Sequence, residues 1–212
     1  MNPIEIEIAG LVAIIRASKS EGVVEAAHII VRGGVRVLEV TLNTPDALQL
    51  IAVLRSELQG NAFVGAGTVL DIDDAKKTLD AGAQFIVTPT LQLETIAFCR
   101  ECQLPILCGC LTPTEALAAH REGADFIKIF PATTFGPAYV RDVLAPLPFL
   151  RMVPTGGVTI ENLRDFFGAG CAAVAIGSQL VSSEILTSKN WDSLEAKAAQ
   201  FVALVAQAKA KV

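Results

Sequence analysis

Two charged residues lie inside apolar runs, where their side chains are costly unless they are paired or do chemistry. Lys128 is at the centre of Phe126-Ile127-Lys128-Ile129-Phe130-Pro131, and Glu39 interrupts Arg36-Val37-Leu38-Glu39-Val40-Thr41. Aromatic and β-branched residues bounded by Gly, Asp and Pro read as buried strands, and an isolated charge in such a strand carries a large desolvation penalty. A lysine shielded from water shifts towards its neutral amine, the form that attacks a carbonyl and builds a Schiff base. A carboxylate beside it can shuttle the protons of carbinolamine formation and dehydration. Two plainer readings stand next to these: a lysine whose stem carries its tip to solvent, and a glutamate that is only its counter-ion.

A second set of residues suits an anion. Val153-Pro154-Thr155-Gly156-Gly157-Val158, followed by Thr159-Ile160-Glu161-Asn162 opening a helix, looks like a phosphate cradle, because glycines let backbone N–H groups converge and a helix start adds a favourable dipole. Gly177 and Ser178 add a second glycine turn with a hydroxyl donor. Arg16 and Thr68 could hold a second anion such as a carboxylate, with Arg16 equally suited to a structural ion pair. Cys99, Cys102, Cys108 and Cys110 form C-x-x-C followed by C-x-C, a spacing too loose for a zinc site, and ordinary buried thiols are expected. His28 and His120 fall on predicted helices away from the other candidates, so neither a metal nor another cofactor is expected.

These residues need a scaffold that brings strand ends together. The chain repeats one theme: a short apolar run, a Gly/Thr/Pro loop, an Ala/Leu/Glu helical stretch, then a closing Gly. Strands are predicted at 11–16, 36–41, 62–65, 84–88, 105–108, 126–130, 151–153 and 172–176, and helices at 23–32, 45–58, 73–81, 91–102, 113–122, 138–144 and 160–168. This alternation implies parallel strands joined by right-handed crossovers. Eight units in 212 residues fit a (β/α)8 TIM barrel spanning 1–212 as a single α/β domain. An open doubly wound sheet is the runner-up, but its G-x-G-x-x-G is absent after the first strand. In a barrel, Arg16, Glu39, Asn43, Thr68, Pro89, Gly109, Lys128, Thr155 and Gly177 all fall at or just beyond the C-terminal strand ends, where such folds do chemistry.

Composition narrows the function further. With 52% hydrophobic and 18% charged residues and a net charge of −5, the chain can bury a large core and shows no basic footprint for nucleic acid. No apolar run approaches the length of a membrane span, and the acidic start carries no export signal, so a cytoplasmic enzyme with reduced thiols is expected.

Four motifs together resemble the class I aldolases acting on 2-keto-3-deoxy-6-phosphogluconate (KDPG) and 4-hydroxy-2-oxoglutarate (KHG). They are Gly34-Val35-Arg36-Val37-Leu38-Glu39-Val40-Thr41-Leu42, Val64-Gly65-Ala66-Gly67-Thr68-Val69, Phe126-Ile127-Lys128-Ile129-Phe130-Pro131-Ala132 and Val153-Pro154-Thr155-Gly156-Gly157-Val158, in register from about Leu11 to Val181. The resemblance implies a homotrimer of barrels that cleaves a small 2-keto acid phosphate, KDPG, reversibly to pyruvate and glyceraldehyde 3-phosphate. It matches Lys128 to the Schiff-base lysine, Glu39 to the general acid/base, Thr68 to a pyruvate-carboxylate contact and Phe130 to a residue packing on substrate. Thr155, Gly156, Gly157 and Ser178 match the phosphate region, and Arg16 an arginine near the substrate. Two positions depart from the pattern: Asn43 replaces an arginine of several members, and Cys108-Gly109 replaces Pro-Gly. Leu42-Asn43-Thr44-Pro45 and the stretch from Ile129 to Pro137 are also similar to the sister enzymes acting on 2-keto-3-deoxy-6-phosphogalactonate. A phosphosugar isomerase or epimerase using Glu39 as base is the competing activity on the same barrel.

Overall fold

Period-two strands alternating with longer helical stretches fold as a closed ring of strands inside a ring of helices. The computed structural model describes residues 1–210. In chain order the elements are α1 (Ile4–Ala9), β1 (Leu11–Ile15), α2 (Val23–Arg32), β2 (Val37–Thr41), α3 (Ala47–Glu57), β3 (Phe63–Gly67), α4 (Ile72–Asp80), β4 (Ile86–Val87) and α5 (Leu93–Glu101). They continue as β5 (Ile106–Cys110), α6 (Pro113–Glu122), β6 (Phe126–Ile129), α7 (Gly136–Leu144), β7 (Met152–Pro154), α8 (Leu163–Gly168), β8 (Val174–Ile176), α9 (Ser183–Ser188) and α10 (Trp191–Lys209). All eight strands pair in parallel in the order β7-β6-β5-β4-β3-β2-β1-β8, and a parallel bridge between Thr155 and Ala175 joins β7 to β8. The expected TIM barrel is the observed one.

Alternation along each strand sorts side chains between two cores. Val12, Ile14, Val37, Phe85, Val87, Leu107, Phe126, Val153, Ala173 and Ala175 fill the barrel interior. Ala13, Ile15, Leu38, Val40, Ile127, Ile129 and Met152 point outward into the layer beneath the helices, with Ile30, Leu54 and Phe201. The same parity turns Glu39 and Lys128 inward, as the two charged residues of an otherwise apolar barrel wall.

Three helices have no counterpart among the predicted elements. The alternating Ile4-Glu5-Ile6-Glu7-Ile8 is helical: the Asn2 side chain accepts the Ile4 N–H at 3.0 Å, and only Ile6 turns into the barrel interior, closing its N-terminal end. Arg151 holds this plug through Glu7 at 2.6 Å, with its guanidinium 4.0 Å from the Phe126 ring centroid, and Lys209 donates to the Glu7 and Ile8 carbonyls. The short α9 and the 19-residue α10 complete the outer ring. α10 seats against α2, where a Cβ on Gly33 would lie 2.6 Å from the Ala198 Cβ.

Candidate active site

Lys128 is the third residue of β6, in register with Gly109 on β5 and Val153 on β7. Glu39 is the third residue of β2, in register with Ile14 and Gly65. Inside the barrel Lys128 Nζ lies 4.0 Å from Glu39 Oε1, with the two side chains only 6% and 1% exposed. That distance exceeds a hydrogen bond, so the carboxylate does not tie up the amine. Glu39 Oε2 has no hydrogen-bond partner among the described residues. Burial raises the Glu39 carboxyl above its ordinary 4.5, while the charges of Lys128 and then Arg16 pull it back in part. Glu39 is thus a carboxyl that holds its proton to higher pH than a solvated one.

Inward-facing glycines make the space. A Cβ on Gly67 would stand 1.8 Å from Glu39 Oε1, and one on Gly65 would stand 2.6 Å from the Phe85 ring. The Gly-Ala-Gly of β3 therefore exists to admit the carboxylate above and the phenyl ring below. Gly109 does the same on β5, where a Cβ would come 2.2 Å from the Pro89 carbonyl carbon; its N–H donates to the Thr88 hydroxyl at 3.1 Å.

Above the pair a cavity of about 460 Å³ opens at the C-terminal ends of the strands. The structure brings Arg16, Asn43, Phe130, Gly156, Gly157, Gly177 and Ser178 together on its wall. Phe130 links the two levels, its ring centroid 5.3 Å from Lys128 Nζ. Gly156 and Gly157 are both left-handed, with φ of +84° and +76°, a conformation in which a side chain would be strained. The Gly157 and Val158 N–H groups donate to no acceptor among the described residues. Arg16 makes no ion pair among the described residues, so its guanidinium is available at the mouth.

Lys128, Glu39, Thr68, Pro89, Gly109 and Thr155 are not on that wall, the first two being buried in the barrel interior. Thr155 is buried, its hydroxyl donates to the Val153 carbonyl at 3.3 Å, and its backbone carries the bridge that closes the barrel. Thr68 follows β3 with φ +58°, a costly setting for a β-branched residue. The helix expected to open at Ile160 starts only at Leu163 and is six residues long, because residues 159–162 are spent in a turn braced by Asn162. The backbone donors left open here are therefore turn N–H groups, without a helix start behind them. Cys99, Cys108 and Cys110 are buried free thiols and Cys102 is exposed. His28 pairs with Glu57 at 2.7 Å, and His120 packs on Phe149, both away from the cavity.

Several residues of the site escaped the sequence reading. Ser18, Gln179 and Ser183 also line the cavity. The strand-end rule that singles out Arg16 and Ser178 applies to their loops as well and would have found them. Thr41 and Thr44, on the same kind of strand-end loop, were not singled out either: their hydroxyls lie 3.2 Å apart and Thr44 accepts the Ala17 N–H at 3.2 Å, which fastens the loop carrying Arg16 to the loop carrying Asn43.

The chain is similar to known proteins over nearly all its length. A family model described as KDPG and KHG aldolase matches residues 4–197. The 2-dehydro-3-deoxy-6-phosphogalactonate aldolase of Escherichia coli K12 is 35% identical over 171 residues, covering 80% of this chain and 83% of that protein. The 2-dehydro-3-deoxy-phosphogluconate aldolase of Dickeya dadantii is 34% identical over 194 residues, covering 91% of each chain. A solved structure of the KDPG aldolase of Legionella pneumophila, with pyruvate captured at low pH as a covalent carbinolamine intermediate, superposes with a TM-score of 0.85 at 25% identity, covering 94% of this chain and 97% of that one. A buried lysine–glutamate pair beneath a glycine-rimmed cavity, in a barrel matched from end to end, leaves one assignment: the chain belongs to the KDPG and KHG aldolase family.

Proposed function

We propose that this aldolase cleaves KDPG to pyruvate and glyceraldehyde 3-phosphate by Schiff-base chemistry at Lys128, and also acts on 4-hydroxy-2-oxoglutarate. The observation that carries the reading is the Lys128–Glu39 pair, both buried inside the barrel and 4.0 Å apart, with Phe130 of the cavity wall 5.3 Å from the lysine nitrogen. The amine of Lys128 attacks the C2 carbonyl, and Glu39 supplies the proton with which the carbinolamine oxygen leaves as water. The iminium draws the electrons of the C3–C4 bond as that bond breaks, the C4 hydroxyl gives its proton to the Glu39 carboxylate as C4 departs as the aldehyde carbon, and Glu39 returns that proton to C3 of the enamine. Water then hydrolyses the pyruvate imine and frees Lys128. A carboxyl held above its ordinary range can give and take protons in the same cycle.

Arg16 at the mouth serves the substrate carboxylate, the part left unfilled by Asn43, with Thr68 as a hydroxyl donor at the end of β3. The Gly156–Gly157 turn, Gly177 and Ser178 take the phosphate. Phe130 shields the imine from water, and Pro89, Gly109 and Thr155 shape the barrel around Lys128. The working unit is a cytoplasmic homotrimer of single-domain barrels. Leu70 and Leu93, 50% and 45% exposed, offer apolar surface for subunit contact, and among the described residues no helix is long and apolar enough to cross a membrane.

A second reading, cleavage of the galactonate epimer, is favoured by Asn43 on the cavity wall and by the E. coli relative acting on that series. One experiment tests the chemistry and ranks the substrates. Borohydride with pyruvate should inactivate the protein and leave a reduced pyruvate adduct on Lys128, and KDPG should outrun its C4 epimer in a coupled pyruvate assay. Absence of the adduct from Lys128 would exclude the mechanism, and faster turnover of the epimer would move the assignment to the second reading.

A further inference from the structure

Asn162 does not itself line the cavity, yet it is bonded to the turn that forms one wall. Its Nδ2 donates to the Gly157 carbonyl at 2.8 Å and its Oδ1 accepts the Thr159 N–H at 2.8 Å, so one amide braces both ends of the segment 157–159. Asparagine at a helix start ordinarily turns its oxygen forward to cap the helix. Asn162 is the N-cap residue of α8 and makes no such bond. Its side chain is spent backwards, on the loop.

What it braces is otherwise loose. Gly156 and Gly157 are consecutive left-handed glycines, the residues with the most conformational freedom to lose. With the Gly157 carbonyl held by Asn162, the Gly157 and Val158 N–H groups stay without an acceptor among the described residues on a segment that lines the cavity. On its other side Gly157 is hemmed in by Thr133 of the loop after β6, whose Cγ2 would stand 2.6 Å from an added Cβ. Thr133 and Asn162 thus bound the turn on two sides.

We propose that Asn162 is the positioning residue of this cradle, and that it sets the preference for phosphate monoesters over keto acids that carry no phosphate. The proposal rests on the aldolase reading above and names the part of the chain that governs its substrate class. A residue that only stabilised the fold would affect all substrates alike, whereas loss of this brace weakens only the ligand that needs the turn.

The test is the ratio of kcat/KM for KDPG to kcat/KM for 4-hydroxy-2-oxoglutarate, measured for the wild type and for Asn162→Ala. The expected result is a fall in the ratio of roughly tenfold, as for one or two lost hydrogen bonds, carried by KM for KDPG with kcat retained and with 4-hydroxy-2-oxoglutarate turnover unchanged. An unchanged ratio, whether both activities hold or both fall together, would overturn the proposal. If Asn162→Ala does not fold, Asn162→Asp keeps the acceptor for Thr159 and loses the donor to Gly157, and the same ratio decides. Failure of the aldolase reading itself would show as a wild type that turns over neither substrate. Protection of the protein against thermal unfolding by inorganic phosphate, expected for the wild type and weakened in Asn162→Ala, then reads the brace alone, and equal protection of both would overturn it.

Discussion

At the scale of the residue, two carboxylate properties follow from where Glu39 sits. Burial lifts its carboxyl above 4.5 despite Lys128 and Arg16, so its charged form arises in the folded protein only at higher pH than in the unfolded chain. In that window the unfolded chain binds fewer protons than the folded one, so stability falls as pH rises. The contribution is fully present below 4.5 and is lost as pH passes through the raised folded value. Glu39→Gln removes the titration, so the unfolding temperature of the variant minus that of the wild type should be flat below 4.5 and climb above it, measured by scanning calorimetry across pH. A flat difference at all pH would mean that the folded environment does not raise the carboxyl. Lys128, Glu39, Arg16 and the Gly156–Gly157 pair were legible because each is the wrong residue type for its local pattern: a charge inside an apolar run, or glycines where a helix was about to open. Thr44 and Asn162 were not. Each is an ordinary polar loop residue whose role exists only through a partner brought to it by the fold.

At the scale of the element, the strands were read within a few residues because a parallel barrel strand is short, apolar and bounded by glycine. Helices 23–32 and 113–122 were read to the residue, the second opened by a capping box at Thr112 and Glu115 and stopped by a left-handed Gly123. Each miss has an identifiable cause. Ile4-Glu5-Ile6-Glu7-Ile8 has no helical period, and its helix is held by contacts to Arg151 and Lys209 from the far end of the chain. The shortened α8 reflects the Asn162 brace. Strand β3 shows how an element serves a distant one. Gly67 is the gap that Glu39 fills, so Gly67→Ala places a methyl 1.8 Å from the carboxylate oxygen and must expel it. The expected outcome is a loss in kcat of about 10²- to 10⁴-fold, the range for losing a general acid–base group, with Lys128 still present to be trapped. Far-ultraviolet circular dichroism would check that the barrel persists, and near-normal kcat would show that Glu39 is dispensable or free to move.

At the scale of the whole molecule, the two ends of the barrel do different work. The N-terminal end is sealed by Ile6, the Arg151–Glu7 pair and Lys209, and the C-terminal end keeps the cavity with its glycine turns and polar loops. This is the division expected of the fold, where stability gathers at one face and chemistry at the other. α10 belongs wholly to the first kind. It runs along the outer layer, pairs Glu195 with Arg32 at 2.8 Å, and buries Leu194, Phe201 and Val205, while contributing no residue to the cavity wall. Phe201 is completely buried, so Phe201→Ala should lower the unfolding free energy by about 3–5 kcal/mol, the usual cost of deleting a core phenyl ring. Because no residue of α10 lines the cavity, kcat and KM of the folded variant should match the wild type at temperatures below its transition. Urea unfolding and steady-state kinetics on the same preparation measure both quantities. A large loss of stability with unchanged turnover supports the division. A change in KM at full foldedness would mean that the helical ring sets the cavity's shape as well as its stability, and would place α10 among the elements that hold the site.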